Sequence, residues 1–144
     1  MTTRRNNGFS LLELLIVVAI ILIISTIAIP SFLRSRQMAN ENSTVANLRT
    51  LSNAEATYST ARAGVYATVD QLVTDALLDS RFNGPVGGYS FTIASSGYDF
   101  TTVAEPISAN SGRYGYYMIS DNVIRYATAS TLAPDGQAGN PVSQ

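Results

Sequence analysis

The hydrophobic pattern of this chain changes period twice. After a short stretch with Arg4 and Arg5, residues 9–33 are almost wholly apolar, with an unbroken run from Leu14 to Ile24. Beyond it the apolar residues thin out to helical intervals: Met38, Val45, Leu48, Leu51, Ala54, Tyr58 and Ala61 fall on one face, with Asn40, Glu41, Asn47, Arg49 and Glu55 on the rest. This pattern predicts one helix from Phe9 to about Arg62, with its second half amphipathic. From Tyr89 onward the period drops to two. Tyr89, Phe91 and Ile93 alternate with Ser90 and Thr92, and Tyr98 and Phe100 continue the apolar side across a turn at Ser95-Ser96-Gly97. Two more strands, Tyr114–Ile119 and Val123–Thr128, flank Ser120-Asp121-Asn122.

Breakers divide these regimes. Pro30 has no amide hydrogen, and its ring crowds the carbonyl of Thr26, so a kink is expected there. Ala63-Gly64 is the expected helix stop, since glycine readily takes the left-handed cap conformation. Thr68-Val69-Asp70-Gln71 has capping-box spacing and predicts a short helix from Val69 to about Leu77. Gly84-Pro85-Val86-Gly87-Gly88 is a turn cluster; without a following Gly-Lys-Ser/Thr it is no phosphate loop. Residues 129–144, rich in Ala, Pro, Gly and Ser, are expected to be irregular. The fold class is therefore α+β, a long N-terminal helix packed against a four-stranded antiparallel sheet made of two hairpins.

Composition narrows the chemistry. The chain has no Cys and no His, which removes disulfides, thiolate nucleophiles, imidazole bases and the usual zinc ligands together. All nine basic residues are Arg, and no basic cluster gives a nucleic-acid footprint. Asp70, Asp75 and Asp79 form no compact calcium loop and read as a solvated helix face, while Asp121 and Asp135 sit in turn contexts. The tyrosines mostly occupy strand positions, where aromatic side chains pack. Asn42-Ser43-Thr44 fits a glycosylation acceptor but lies within the predicted helix. No cofactor, metal or catalytic residue is expected, and the chain is read as no enzyme.

One residue breaks the N-terminal pattern: Glu13, a carboxylate near the start of the apolar segment. Residues 9–33 would span about 37 Å as a helix, enough to cross a hydrocarbon core of roughly 30 Å with some tilt. Arg4 and Arg5 would hold the N-terminus in the cytoplasm and place everything past Arg34 across the membrane, where Arg34 and Arg36 would anchor at the outer interface. A charge within a membrane segment costs roughly 2.5–3.5 kcal/mol on insertion scales, so Glu13 calls for a cationic partner. A secretory signal cleaved near Thr26-Ile27-Ala28 would leave Glu13 inside its hydrophobic region and Pro30 just past the cut. A plain anchor would give Glu13 no role. Cleavage between Gly8 and Phe9 would create an α-amino cation four residues before it.

The run Gly8-Phe9-Ser10-Leu11-Leu12-Glu13-Leu14-Leu15 resembles the class III leader junction of type IV pilins and type II secretion pseudopilins. That resemblance implies a ladle-like fold divided into a leader (1–8), a transmembrane and filament-core helix (9–33), an amphipathic second half (34–62), and a connecting region, sheet head and tail (63–144). It implies a prepilin peptidase that cuts after Gly8 and N-methylates Phe9, and subunit assembly in which the Phe9 amine meets Glu13 of a neighbour. The partners implied are a homo-polymer, an inner-membrane assembly machinery and lipid before assembly. The precursor would lie in the inner membrane, with its head periplasmic, and the assembled form in an extracellular fibre. Adhesion, motility, DNA uptake or electron transfer would belong to the whole fibre. The major pseudopilins usually carry a calcium loop near the C-terminus, which is not identifiable here, so a pilus subunit is the first expectation, a secretion pseudopilin the second, and a non-polymerising anchored binding domain the third.

Overall fold

The computed structural model describes residues 9–128 and 139–142, so expectations for Gly8, the rest of the leader and Asp135 lie outside the described residues. The chain divides into two compact units, Met1–Ser35 and Arg36–Gln144. A single helix, α1 (Leu11–Ala61), passes through both. In the first unit its apolar side chains face outward on every side, with mean hydropathy 3.0 over the best 18 residues and none of that window buried.

Within the second unit α1 supplies one layer of the core. Leu48, Leu51, Ala54 and Tyr58 are buried with Phe91, Ile93, Phe100, Ala104, Tyr116 and Met118 of the sheet. Two residues expected on the buried face, Met38 and Ala61, are exposed. Conversely, three expected on the polar face, Glu41, Asn47 and Glu55, are buried.

The helix ends one residue earlier than the glycine suggests. The Gly64 amide donates to the Ser59 carbonyl at 2.8 Å, and Ala63 takes the left-handed conformation at φ 54°. This is a Schellman arrangement with alanine in the position glycine usually fills. A short α2 (Val69–Thr74) follows, shorter than predicted, and its Gln71 Oε1 accepts the Thr68 amide at 2.9 Å, as a capping box requires. Asp79 then caps a 3₁₀ helix, Ser80–Asn83, that the turn-rich composition of this region concealed.

The sheet is an antiparallel meander of β1 (Tyr89–Ser95), β2 (Phe100–Pro106), β3 (Tyr114–Ile119), β4 (Arg125–Thr128) and β5 (Asn140–Pro141), in spatial order one to five. Five strands replace the expected four. The fifth is two residues long, too short to show alternation in sequence, and Pro141 suits an edge because it has no amide to donate. Register puts Ile93 opposite Thr102 and Thr102 opposite Met118, which places Phe91, Ile93, Phe100, Ala104, Tyr116 and Met118 on one face, with the helix core, and Val103 and Tyr117 on the other. Tyr98 does not continue that side. The hairpin closes through a Ser96 amide to Asp99 carbonyl bond at 2.9 Å, with Gly97 at φ 90°, so Tyr98 falls in the turn and is 77% exposed.

Candidate functional site

The first unit presents one charge in an apolar cylinder. Glu13 sits in the first turn of α1, its amide donating to the Ser10 carbonyl at 3.1 Å, and its side chain is exposed. The first turn favours an anion there, because unpaired amides give the helix N-terminus a partial positive charge. Phe9, just before the helix, is 75% exposed. None of the ion pairs among the described residues involves Glu13. Leu11 to Ile24 surround it with outward-facing aliphatic side chains, a contiguous apolar surface far beyond what a soluble monomer tolerates. Such a surface needs lipid or other apolar helices.

Pro30 lies inside α1, which is helical on both sides of it. The Thr26 carbonyl loses its usual donor there. Nearby hydroxyls turn back on the helix: Thr26 Oγ1 donates to Ile23 O at 2.7 Å and Ser35 Oγ to Ser31 O at 3.0 Å.

The second unit contains polar groups that sequence reasoning assigned to solvent. Glu41 receives three bonds from Arg113: the backbone amide and Nε on Oε1 at 2.8 and 3.1 Å, and Nη2 on Oε2 at 2.8 Å. Burial alone would push this carboxyl up, but the hydrogen bonds and charge of Arg113 outweigh it and hold Glu41 below the usual range. Asn40 Nδ2 to Ser111 O and Gln37 Nε2 to Ala109 O, both 2.8 Å, complete a clamp between α1 and the β2–β3 loop. Glu55 differs. It is fully buried, and Oε2 accepts the Ala67 amide at 3.0 Å while Oε1 has no protein partner. Burial raises its pKa, and the single amide bond only partly offsets it. Arg125, also buried, pairs with Asp121 through Nη1 and Nη2.

A signal for the two glutamates was present. Glu41, Thr44, Leu48, Leu51, Glu55 and Tyr58 follow steps of three and four, the spacing of one helix face, and all are buried. Residue type hid what spacing revealed. Arg113 carries no local signal, since its partner lies on another element. The expected acids resolve into structural roles: Asp75 pairs with Arg62 at 3.0 Å and Asp79 caps a turn. Among the described residues no three His, Cys, Asp or Glu side chains converge to hold a metal.

Residues 3–29 match the model of the prokaryotic N-terminal methylation motif. Over 54 residues, 38% of this chain and 24% of the relative, the sequence is 43% identical to the type IV major pilin protein PilA of Myxococcus xanthus. Over 90 residues, 60% of this chain and 61% of the relative, it is 33% identical to the type II secretion system core protein G of Vibrio cholerae. The chain thus spans less than two thirds of the length of both relatives. The apolar helix, the acid in its first turn and the α+β head agree with these likenesses: the chain carries an N-terminal methylation motif and is similar to a type IV pilin and to a type II secretion pseudopilin.

Proposed function

We propose that the chain is the structural subunit of a type IV pilus. A prepilin peptidase cuts between Gly8 and Phe9 and methylates the Phe9 amine; the apolar helix holds the folded head at the inner membrane until assembly machinery extracts it, N-terminus cytoplasmic and head periplasmic. In the fibre the apolar helices exchange lipid for one another. That exchange yields little net hydrophobic gain, so helix packing and charge pairing set specificity.

The observation that carries this reading is Glu13, an acid in the first turn of an outward-facing apolar helix, four positions after Phe9. Surrounded by apolar helices, an unanswered carboxylate would be costly, whereas pairing with a neighbour's Phe9 amine fixes the axial stagger. Glu13→Ala is expected to leave membrane insertion intact and abolish fibres. Normal fibre yield from that variant would refute the pairing. Mass spectrometry of the mature N-terminus and electron microscopy of sheared fibres test processing and polymerisation together.

A second reading, a type II secretion pseudopilin, is favoured by the likeness to core protein G, which covers 60% of this chain and so takes in part of the head. Removing the gene separates the two. Loss of surface fibres with secretion intact supports the pilus subunit, and retained exoproteins with fibres intact support the pseudopilin.

A further inference from the structure

Three ion pairs within the head leave a specific set of charges unanswered among the described residues. On α1 Arg49 is exposed and has no acidic partner. It lines a cavity of about 370 Å³ together with Asn122, Val123, Ile124 and Val142. The lining is built rather than loose. Ser52 Oγ donates to Asn122 Oδ1 at 2.7 Å and holds a residue already in the left-handed region at φ 59°. Val123, one of its apolar lining residues, keeps 37% of its surface exposed. The site therefore offers an accessible apolar lining beside a guanidinium.

The β1–β2 side of the sheet carries complementary chemistry. The β1–β2 turn, Ser96–Asp99, projects Tyr98, the most exposed aromatic side chain of the head. Beside it Asp99 uses Oδ1 to accept the Phe100 amide at 2.9 Å and has no cationic partner. A phenol followed by a carboxylate is the complement of an apolar lining beside a guanidinium: the ring packs on the lining or stacks on Arg49, and the carboxylate pairs with it.

We propose that the Tyr98–Asp99 turn of one copy docks in the Arg49 cavity of a second copy. The turn lies at the β1–β2 side of the sheet and the cavity at the β4–β5 side, so one molecule presents both halves on different surfaces. A contact of this kind is heterologous. It leaves a free turn and a free cavity after every addition, and so propagates instead of closing into a dimer. The inference rests on the reading that the chain polymerises, and it adds a head-to-head contact to the one at Glu13.

The natural absence of cysteine makes the test direct. Ser96→Cys and Val123→Cys are introduced into the full chain, alone and together, in cells that carry its assembly apparatus, and sheared fibres are oxidised. The double variant is expected to give a ladder at multiples of the subunit mass, and either single variant none. Arg49→Glu, added to the double variant, is expected to reduce the ladder about tenfold, and Asp99→Arg to restore it. Melting curves of the purified variants, unchanged from the parent, exclude a folding defect as the cause. Fibres of normal yield without a ladder, or a ladder indifferent to Arg49→Glu, overturn this contact and leave polymerisation standing. A cross-link to a protein of another mass shows a different occupant and likewise overturns it. Failure of the unsubstituted chain to form any fibre or secretion filament defeats the polymerisation reading and this contact with it.

Discussion

Glu41 and Glu55 share the buried face of α1, yet only one has a cation. Arg113→Ala removes the guanidinium and its two bonds to the buried Glu41 but keeps the backbone amide on Oε1, so it is expected to destabilise the head by about 1–3 kcal/mol. Arg62→Ala breaks a pair that is largely exposed and should cost less than about 1 kcal/mol. Urea denaturation of the two variants checks that contrast. Acidity separates the glutamates too. Glu41 and Asp121, both lowered in the folded state, contribute stability that is present above their unfolded values of about 4.3 and 3.9 and is lost as pH falls through the folded ones. Glu55 has the opposite sign. Its folded value is raised, so the fold favours the neutral acid, and ionisation subtracts stability as pH rises from about 4.3 through the folded value. Glu55→Gln is therefore expected to exceed the parent by on the order of 1 kcal/mol at pH 7, with the gap closing toward pH 4. A constant gap across that range would contradict the assignment. At this scale the sequence was least legible. The identity of Glu41 and Glu55 suggested solvent, and the partners that determine their energetics, Arg113 and the Ala67 amide, are distant in sequence.

Elements were far more legible, because hydrophobic period reports directly on helix and strand. The single long helix and the alternation of β1 follow from it. Where elements stop was harder to read, since ends depend on local hydrogen bonds rather than on period. The α1 stop illustrates this: Ala63-Gly64 announces the end, and both residues take positive φ, but only the hydrogen bonds show that Ala63 and not the glycine fills the first left-handed position. An L-residue there costs roughly 1–2 kcal/mol that glycine avoids, so Ala63→Gly is expected to stabilise the head by about 1 kcal/mol in thermal melts. Gly112 is the reverse case. A Cβ at that position would overlap the Tyr89 phenol, whose hydroxyl donates to the Tyr114 carbonyl at 2.8 Å. Gly112→Ala should lower stability by about 1–3 kcal/mol, through loss of that bond and displacement of a buried ring. Tyr98 shows the limit of period counting across a turn: one misplaced turn position converts a presumed core residue into an exposed one.

At the level of the whole molecule the two units follow different physical rules. The helical residues 11–35 need their apolar exterior satisfied by lipid, detergent or other helices. Arg36–Gln144 holds its own core, from Leu48 to Ile124, and its own polar clamps at Glu41, Glu55 and Asp121. The stability of the head should then be independent of the anchor, while solubility should depend on it entirely. A chain beginning at Arg36 is expected to be soluble without detergent, to elute as a monomer and to melt in one cooperative transition, within about 2 °C of the full chain in detergent micelles. Calorimetry and size-exclusion chromatography measure both. A fragment that is molten or aggregated would mean that the head borrows stability from the apolar segment. A folded monomeric fragment would instead locate the drive to assemble in the first unit and leave the head to decide which neighbours it accepts. That division suits the proposed pilus subunit, because a head stable by itself could be held at a membrane in its folded form until assembly.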